Sequence, residues 1–202
     1  MRKTIVTIIA ASGLALGTFA QGTIDLSNQA SGGFVLQTGG VNYGGPLTIE
    51  VWVLPNGSMD GTISGDLASA NTMHSAVLGA STFGAPDATV SGSTLSGGDG
   101  IFNLGPVALP HVALGANASM AWVMFSGSQW GQAGGLEGVV IFNNPTGGNG
   151  SPAALPAEPT GWDAAPLNDA NLQLSVVPVP EPATFALAGL GAAAMLIFRR
   201  RK

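Results

Sequence analysis

The sequence contains no cysteine, and it contains no lysine or arginine between Gln21 and Val177. All six basic residues lie at positions 2, 3 and 199–202. Disulfides therefore cannot stabilise the chain, and no lysine or arginine between residues 21 and 177 is available for catalysis or phosphate binding. We also expect no salt bridge in this region, so its stability must come from a packed core.

Acidic residues, by contrast, are spread through the same region. With ten acids and no lysine or arginine, the region has a formal charge near −10, whereas the whole chain has a formal charge of −5. This charge repels nucleic acid and anionic lipid, so we expect no nucleic-acid partner. The ten acids are Asp25, Glu50, Asp60, Asp66, Asp87, Asp99, Glu137, Glu158, Asp163 and Asp169.

The N-terminus has the three parts of a secretory signal peptide. Arg2 and Lys3 supply positive charge, residues 4–16 form an apolar stretch, and Thr18 and Ala20 occupy the positions that signal peptidase reads. We therefore predict that residues 1–20 form a signal helix cleaved after Ala20, and that residues 21–177 are exported. A short uncleaved anchor is the alternative.

The C-terminus combines a proline-rich tetrad, an apolar run and a basic cluster. Residues 183–198 carry no charge and as a transmembrane helix would span about 24 Å, slightly less than a typical membrane crossing. The basic cluster acts as a stop-transfer signal, and the prolines keep the tetrad extended and exposed. The tetrad is Val179, Pro180, Glu181 and Pro182, and the cluster is Arg199, Arg200, Arg201 and Lys202.

This order of features at residues 178–202 resembles the PEP-CTERM sorting signal of Gram-negative bacteria, which is also known as the ice-binding-protein C-terminal domain. The resemblance implies no ice binding. It implies export through the Sec translocon, cleavage by signal peptidase, transient anchoring in the inner membrane and processing by exosortase, a membrane-embedded cysteine transpeptidase or protease. The processed protein would then reach the cell surface or extracellular matrix. An ordinary C-terminal anchor in the periplasm is the alternative.

Between the two ends, the pattern predicts short strands separated by glycine and proline turns. We expect an all-β fold, an antiparallel β-sandwich of the immunoglobulin or jelly-roll type over residues 21–177. Pro110 favours either a sheet edge or a connection, and the two apolar faces of residues 119–125 favour a central strand. The predicted strands cover residues 23–27, 34–36, 47–54, 88–95, 101–104, 107–114, 119–125, 137–142 and 171–177.

Two segments have alternative interpretations, and two others show a second resemblance. Residues 66–74 are either one or two helical turns capped by Asp66 or a loop, and residues 96–100 form either a hairpin turn or a glycine-rich loop. The opening at residues 22–28, with residues 109–116 and Trp122, resembles a group of short PEP-CTERM proteins. This second resemblance supports the sandwich and implies no activity.

Little in the sequence points to catalysis. His74 and His111 are the only imidazoles, and neither a nucleophile elbow nor a His-Glu-x-x-His motif is present. We expect both histidines to be loop or edge side chains. The carboxylates lack the local spacing of a calcium loop. We therefore predict no enzyme activity, no cofactor and no metal site.

The four tryptophans at positions 52, 122, 130 and 162 allow a binding role. We expect the tryptophans to fill or cover the core. The alternative is that Trp52 and Trp130 are exposed and contact a glycan. The main expectation is a non-enzymatic structural or adhesive protein whose acidic domain associates with exopolysaccharide through divalent cations. A carbohydrate-binding module that uses exposed tryptophans is the second.

Overall fold

The structure, a computed structural model, describes residues 21–29, 34–55, 57, 59–93, 100–148 and 171–179. One helix is found in these ranges, α1 at Leu67–Ala80. The predicted signal helix and transmembrane helix lie outside the described residues. No helix in the described part of the chain is long and apolar enough to span a membrane. The strands are β1 Gln21–Ser27, β2 Val35–Thr38, β3 Val41–Asn42, β4 Pro46–Leu54, β5 Thr62–Ile63, β6 Ala88–Ser93, β7 Asn103–Ala113, β8 Asn117–Phe125, β9 Leu136–Pro145, β10 Gly147–Gly148, β11 Asn171–Gln173 and β12 Ser175–Val176.

The largest sheet has the strand order β12-β9-β8-β4-β6, with β5 paired to β9. Strand β8 pairs antiparallel with β4 on one side and with β9 on the other. Its successive side chains from Met120 to Phe125 are all at most 3% exposed. The prediction of a central strand with two apolar faces is therefore confirmed.

One face of the large sheet packs against two three-stranded sheets, β10-β1-β7 and β11-β2-β3. Trp122 is fully buried in this layer, and its ring centroid lies 5.1 Å from that of Phe142 and 6.0 Å from that of Phe102. The chain is mostly β, as expected. The described strand pairs are antiparallel, as expected, with one exception, because β11 pairs parallel with β2.

A buried asparagine joins the small sheets. The side chain of Asn28 is 3% exposed, and its Nδ2 donates to the carbonyls of Phe34 (2.7 Å) and Gly100 (2.9 Å). Its Oδ1 accepts from the Phe102 amide at 2.6 Å. One side-chain amide therefore satisfies three backbone groups, the carbonyls of Phe34 and Gly100 and the amide of Phe102.

Helix α1 covers the opposite face of the large sheet. Asp66 caps it in a capping box, accepting from the Ser69 amide at 2.7 Å while the Ser69 hydroxyl accepts from the Asp66 amide. The helical alternative for residues 66–74 and its cap are confirmed. The helix runs on to Ala80, longer than predicted, and Ala70 and Val77 are fully buried. Apolar residues recur only weakly at helical spacing in this segment, so burial against the sheet stabilises the additional turns of the helix.

The hairpin alternative for residues 96–100 is wrong. Strand β6 pairs with β4 of the large sheet, whereas β7 pairs with β1. Residues 94–99, which connect these two strands, lie outside the described residues. Pro110 lies in β7, which is an edge strand of its sheet among the described strands, and the edge prediction is confirmed.

The predicted strand at residues 171–177 is divided in two. Strand β11 pairs with β2, the Leu174 amide still donates to Gln37 at 2.7 Å, and β12 then pairs with β9. Because the chain changes sheets here, the alternation of side chains is reset. Leu172 and Leu174 are buried as expected, whereas Val176 is 57% exposed and not on their face.

We predict that Leu172→Ala strongly destabilises the domain, because Leu172 is fully buried in the core between the sheets. The free energy of unfolding should fall by about 2–5 kcal/mol. Leu78→Ala is the matched control, since Leu78 is 48% exposed on α1, and it should change stability by less than about 0.5 kcal/mol. Urea unfolding measures both. Equal effects would contradict the placement of β11 in the core.

Candidate functional site

A histidine and a buried aspartate join the edge strand β7 to the large sheet. His111 Nδ1 lies 2.7 Å from Asp87 Oδ1, and Asp87 Oδ2 accepts from the Val53 amide at 3.1 Å. The Asp87 side chain is 2% exposed and that of His111 is 38% exposed. The contact is an ion pair only when His111 is protonated, so the expectation of no salt bridge in this region holds for the neutral ring alone.

The aspartate decides which nitrogen of His111 carries the hydrogen. An ionised carboxylate only accepts, so Nδ1 of the neutral ring is the donor and Nε2 is left as an acceptor. The Phe83 ring stacks on the imidazole at 3.5 Å with an interplanar angle of 9°, and Phe83 is 50% exposed. His111 is an edge side chain, as predicted. The sequence did not identify Asp87 and Phe83 as partners of His111, since both are far from it along the chain.

A groove of about 320 Å³ opens beside this pair, at the ends of β4 and β8. Ser119 lies in the groove and its hydroxyl donates to Asp60 Oδ1. In the described part of the chain no hydrogen bond joins Ser119 to His111, so the groove lacks the contact that activates a serine nucleophile. Its lining includes Val53, His111, Val112, Asn117, Ser119 and Asn143.

The other histidine lies on the opposite face of the large sheet, on α1 rather than in a loop or at an edge. The rings of His74 and Trp130 are 4.2 Å apart, and Trp130 Nε1 donates to Asn71 Oδ1 at 3.3 Å. Burial lowers the pKa of His74. Trp130 is half-buried and packs against the apolar cluster beneath the helix, so only part of its indole is accessible.

The remaining tryptophans do not form a binding surface. Trp52 fills the core, as expected, and the alternative that it is exposed is wrong. It is 4% exposed beneath α1 and its Nε1 donates to Glu50 Oε2 at 3.1 Å. A buried indole cannot stack on a sugar. Trp122 fills the core, and Trp162 lies outside the described residues.

A buried acid lies next to the last strand. Glu137 is 1% exposed and pairs in register with Ser175 of β12. Its Oε1 accepts from the Gly131 amide, while Oε2 has no hydrogen-bond partner in the described residues. Burial raises the pKa of Glu137, and the bond from Gly131 partly offsets this.

The chain leaves the folded domain directly after β12. The Val177 amide donates to the Gly135 carbonyl at 2.8 Å, and the Gly134 amide donates to the Val177 carbonyl at 2.9 Å. Gly134 has a φ of 78°, a conformation that favours glycine, so this tight turn depends on it. Val179, the first residue of the tetrad, is 61% exposed. The tetrad therefore begins at the surface, two residues beyond the last anchored position.

The comparison of the chain with protein families gives one match, the PEP-CTERM protein-sorting motif, at residues 178–202. This chain carries a PEP-CTERM sorting motif. The motif indicates an exported protein that exosortase sorts to the cell surface. The searches of curated proteins and of solved structures found no match.

Most residues predicted to act in export and PEP-CTERM sorting lie outside the described residues. These are Thr18 and Ala20, Pro180, Glu181 and Pro182, and the basic cluster at residues 199–202. Among the described residues, no group of three or more His, Asp or Glu side chains is placed to hold a metal ion.

We predict that acid weakens the domain through His74. Its folded-state pKa lies below the ordinary 6.5, so the unfolded chain binds the proton more readily. Stability from this residue is present above pH 6.5 and is lost as the pH falls through the folded-state pKa. Glu137 has the opposite effect on stability. Its folded-state pKa lies above the ordinary 4.5, so the folded domain binds this proton more readily and becomes more stable as the pH falls towards 4.5.

Urea unfolding at about pH 8 and about pH 5.5 separates the two contributions. His74→Gln should remove the loss of stability over this interval. Thr72→Ala, an exposed position on the same helix, keeps His74 and should retain the loss. An unchanged pH dependence in His74→Gln would contradict the assignment.

Proposed function

We propose that this protein is a non-enzymatic structural or adhesive component of the cell surface or extracellular matrix. In this proposal the domain at residues 21–177 belongs to the β-sandwich class and is held briefly in the inner membrane by residues 183–198. Exosortase then acts at the tetrad Val179-Pro180-Glu181-Pro182. The observation that carries the proposal is the PEP-CTERM motif at residues 178–202, which begins where the anchored backbone ends.

The chemistry of the described residues supports a role without catalysis. The paired His111 and Asp87 have no activated nucleophile beside them, since the Ser119 hydroxyl is engaged by Asp60. The region also lacks lysine and arginine, which bind phosphate and carboxylate groups in many active sites. Its expected partners are the export machinery, exosortase and exopolysaccharide.

The test is the intact mass and location of the protein in its native host, with and without exosortase. We expect a mature species that begins near Gln21 and ends near Pro180–Pro182, found outside the cell only when exosortase is present. Replacing Pro180, Glu181 and Pro182 together by alanine should leave the full tail in the inner membrane, because the motif is no longer recognised.

Val176→Ala is the matched control, since it truncates a side chain that is 57% exposed and precedes the matched residues 178–202. This variant should be processed like the wild type. If the apolar tail stays in the inner membrane whether or not exosortase is present, the protein is instead a C-terminally anchored periplasmic domain.

A further inference from the structure

We propose that the groove beside His111 binds an uncharged saccharide. The groove opens between the ends of β4 and β8 and the edge strand β7. Its volume of about 320 Å³ is at the lower end of the range for small-molecule sites, which suits a short sugar segment. The inference rests on the adhesive role proposed above and gives that role a ligand class and a site.

The first argument is the fixed orientation of His111. Asp87 is held by the Val53 amide and buried, so its other oxygen fixes Nδ1 of the imidazole. No described residue hydrogen-bonds Nε2, which is therefore an oriented acceptor for a hydroxyl group. The stack with Phe83 restricts rotation of the ring further.

The second argument is the composition of the lining. Asn117 and Asn143 are exposed at the groove, and each amide offers both a donor and an acceptor. Their side chains make no hydrogen bond within the described part of the chain. Groups that both donate and accept match the hydroxyls of a sugar, whereas a carboxylate or phosphate needs donors alone.

The third argument is charge. Two carboxylates contact residues that line the groove, Asp60 through Ser119 and Asp87 through His111. No lysine or arginine exists in residues 21–177 to offset them. An acidic sugar would therefore be repelled, and a neutral sugar would not.

An apolar surface completes the site. Phe83 is 50% exposed, and its ring stacks on His111, which lines the groove. Aromatic rings present a large, rigid apolar face, against which the C–H face of a pyranose can pack. The site that the sequence suggested for the tryptophans is thus assigned to Phe83 and His111.

The test measures binding by isothermal titration calorimetry, with the protein isolated from its host in whichever form it is found there. The probes are three neutral trisaccharides (maltotriose, cellotriose and chitotriose) and trigalacturonic acid. We expect at least one neutral probe to bind, with no effect of EDTA, and trigalacturonic acid not to bind. His111→Gln and Asn143→Ala should each raise the Kd about tenfold, as expected for the loss of a hydrogen bond that leaves its partner unpaired.

His74→Gln is the matched control, because it changes the other histidine on the far side of the large sheet and should leave the Kd unchanged. Thermal melts establish that each variant is folded, and the exposed Asn143 keeps the test valid if His111→Gln unfolds. The proposal is overturned if no neutral probe binds, if the groove variants bind like the wild type, or if trigalacturonic acid binds as tightly. Loss of binding in EDTA would also overturn it and would favour cation bridges.

This result is independent of sorting, because it is measured in solution. Binding by a protein that exosortase does not process would leave the groove assignment intact and contradict the proposed sorting. Correct processing of a protein that binds none of the probes would support the proposed sorting and overturn the groove assignment.

Discussion

The structure depends on the burial of both faces of one strand. Each side chain of β8 from Met120 to Phe125 is excluded from water, so the strand must be covered twice. Helix α1 covers the face of Ala121, Val123 and Phe125, and the two small sheets cover the face of Trp122. A chain without disulfides, and with one histidine–aspartate pair in its described part, needs this double layer, because apolar burial is the main stabilising contribution left to it.

Much of the fold could be predicted because hydrophobic alternation is a local signal. Residues 47–54 and 119–125 were recognised as strands, and Pro110 marked an edge, since each of these inferences needs only the neighbouring residues. The sheet that each strand joins is decided by contacts far along the chain. Strand β6 therefore pairs with β4 and not with residues 101–104, as the hairpin alternative required. The predicted strand at residues 171–177 is likewise divided between two sheets.

The candidate site was harder to predict for the same reason. His111 was noticed, but its partners Phe83 and Asp87 come from the segment between α1 and β6 and are brought to it by the folded layers. The alternation of its strand left an exposed Trp52 as an alternative, because the helix that covers this residue has few periodic apolar positions and was not evident from the sequence. The PEP-CTERM motif, in contrast, is a contiguous segment, and so the sequence alone was sufficient to recognise it.

The way the chain leaves the domain also has a mechanical consequence. A surface protein held by its C-terminal end receives any pulling force through Val177, whose two hydrogen bonds join it to the Gly134–Gly135 turn. The load then passes to β12 on the large sheet and, through Leu174, to β11 on a small sheet. Along the chain, tension on the tail therefore reaches the two-residue strand β12 at the edge of the large sheet before it reaches β11.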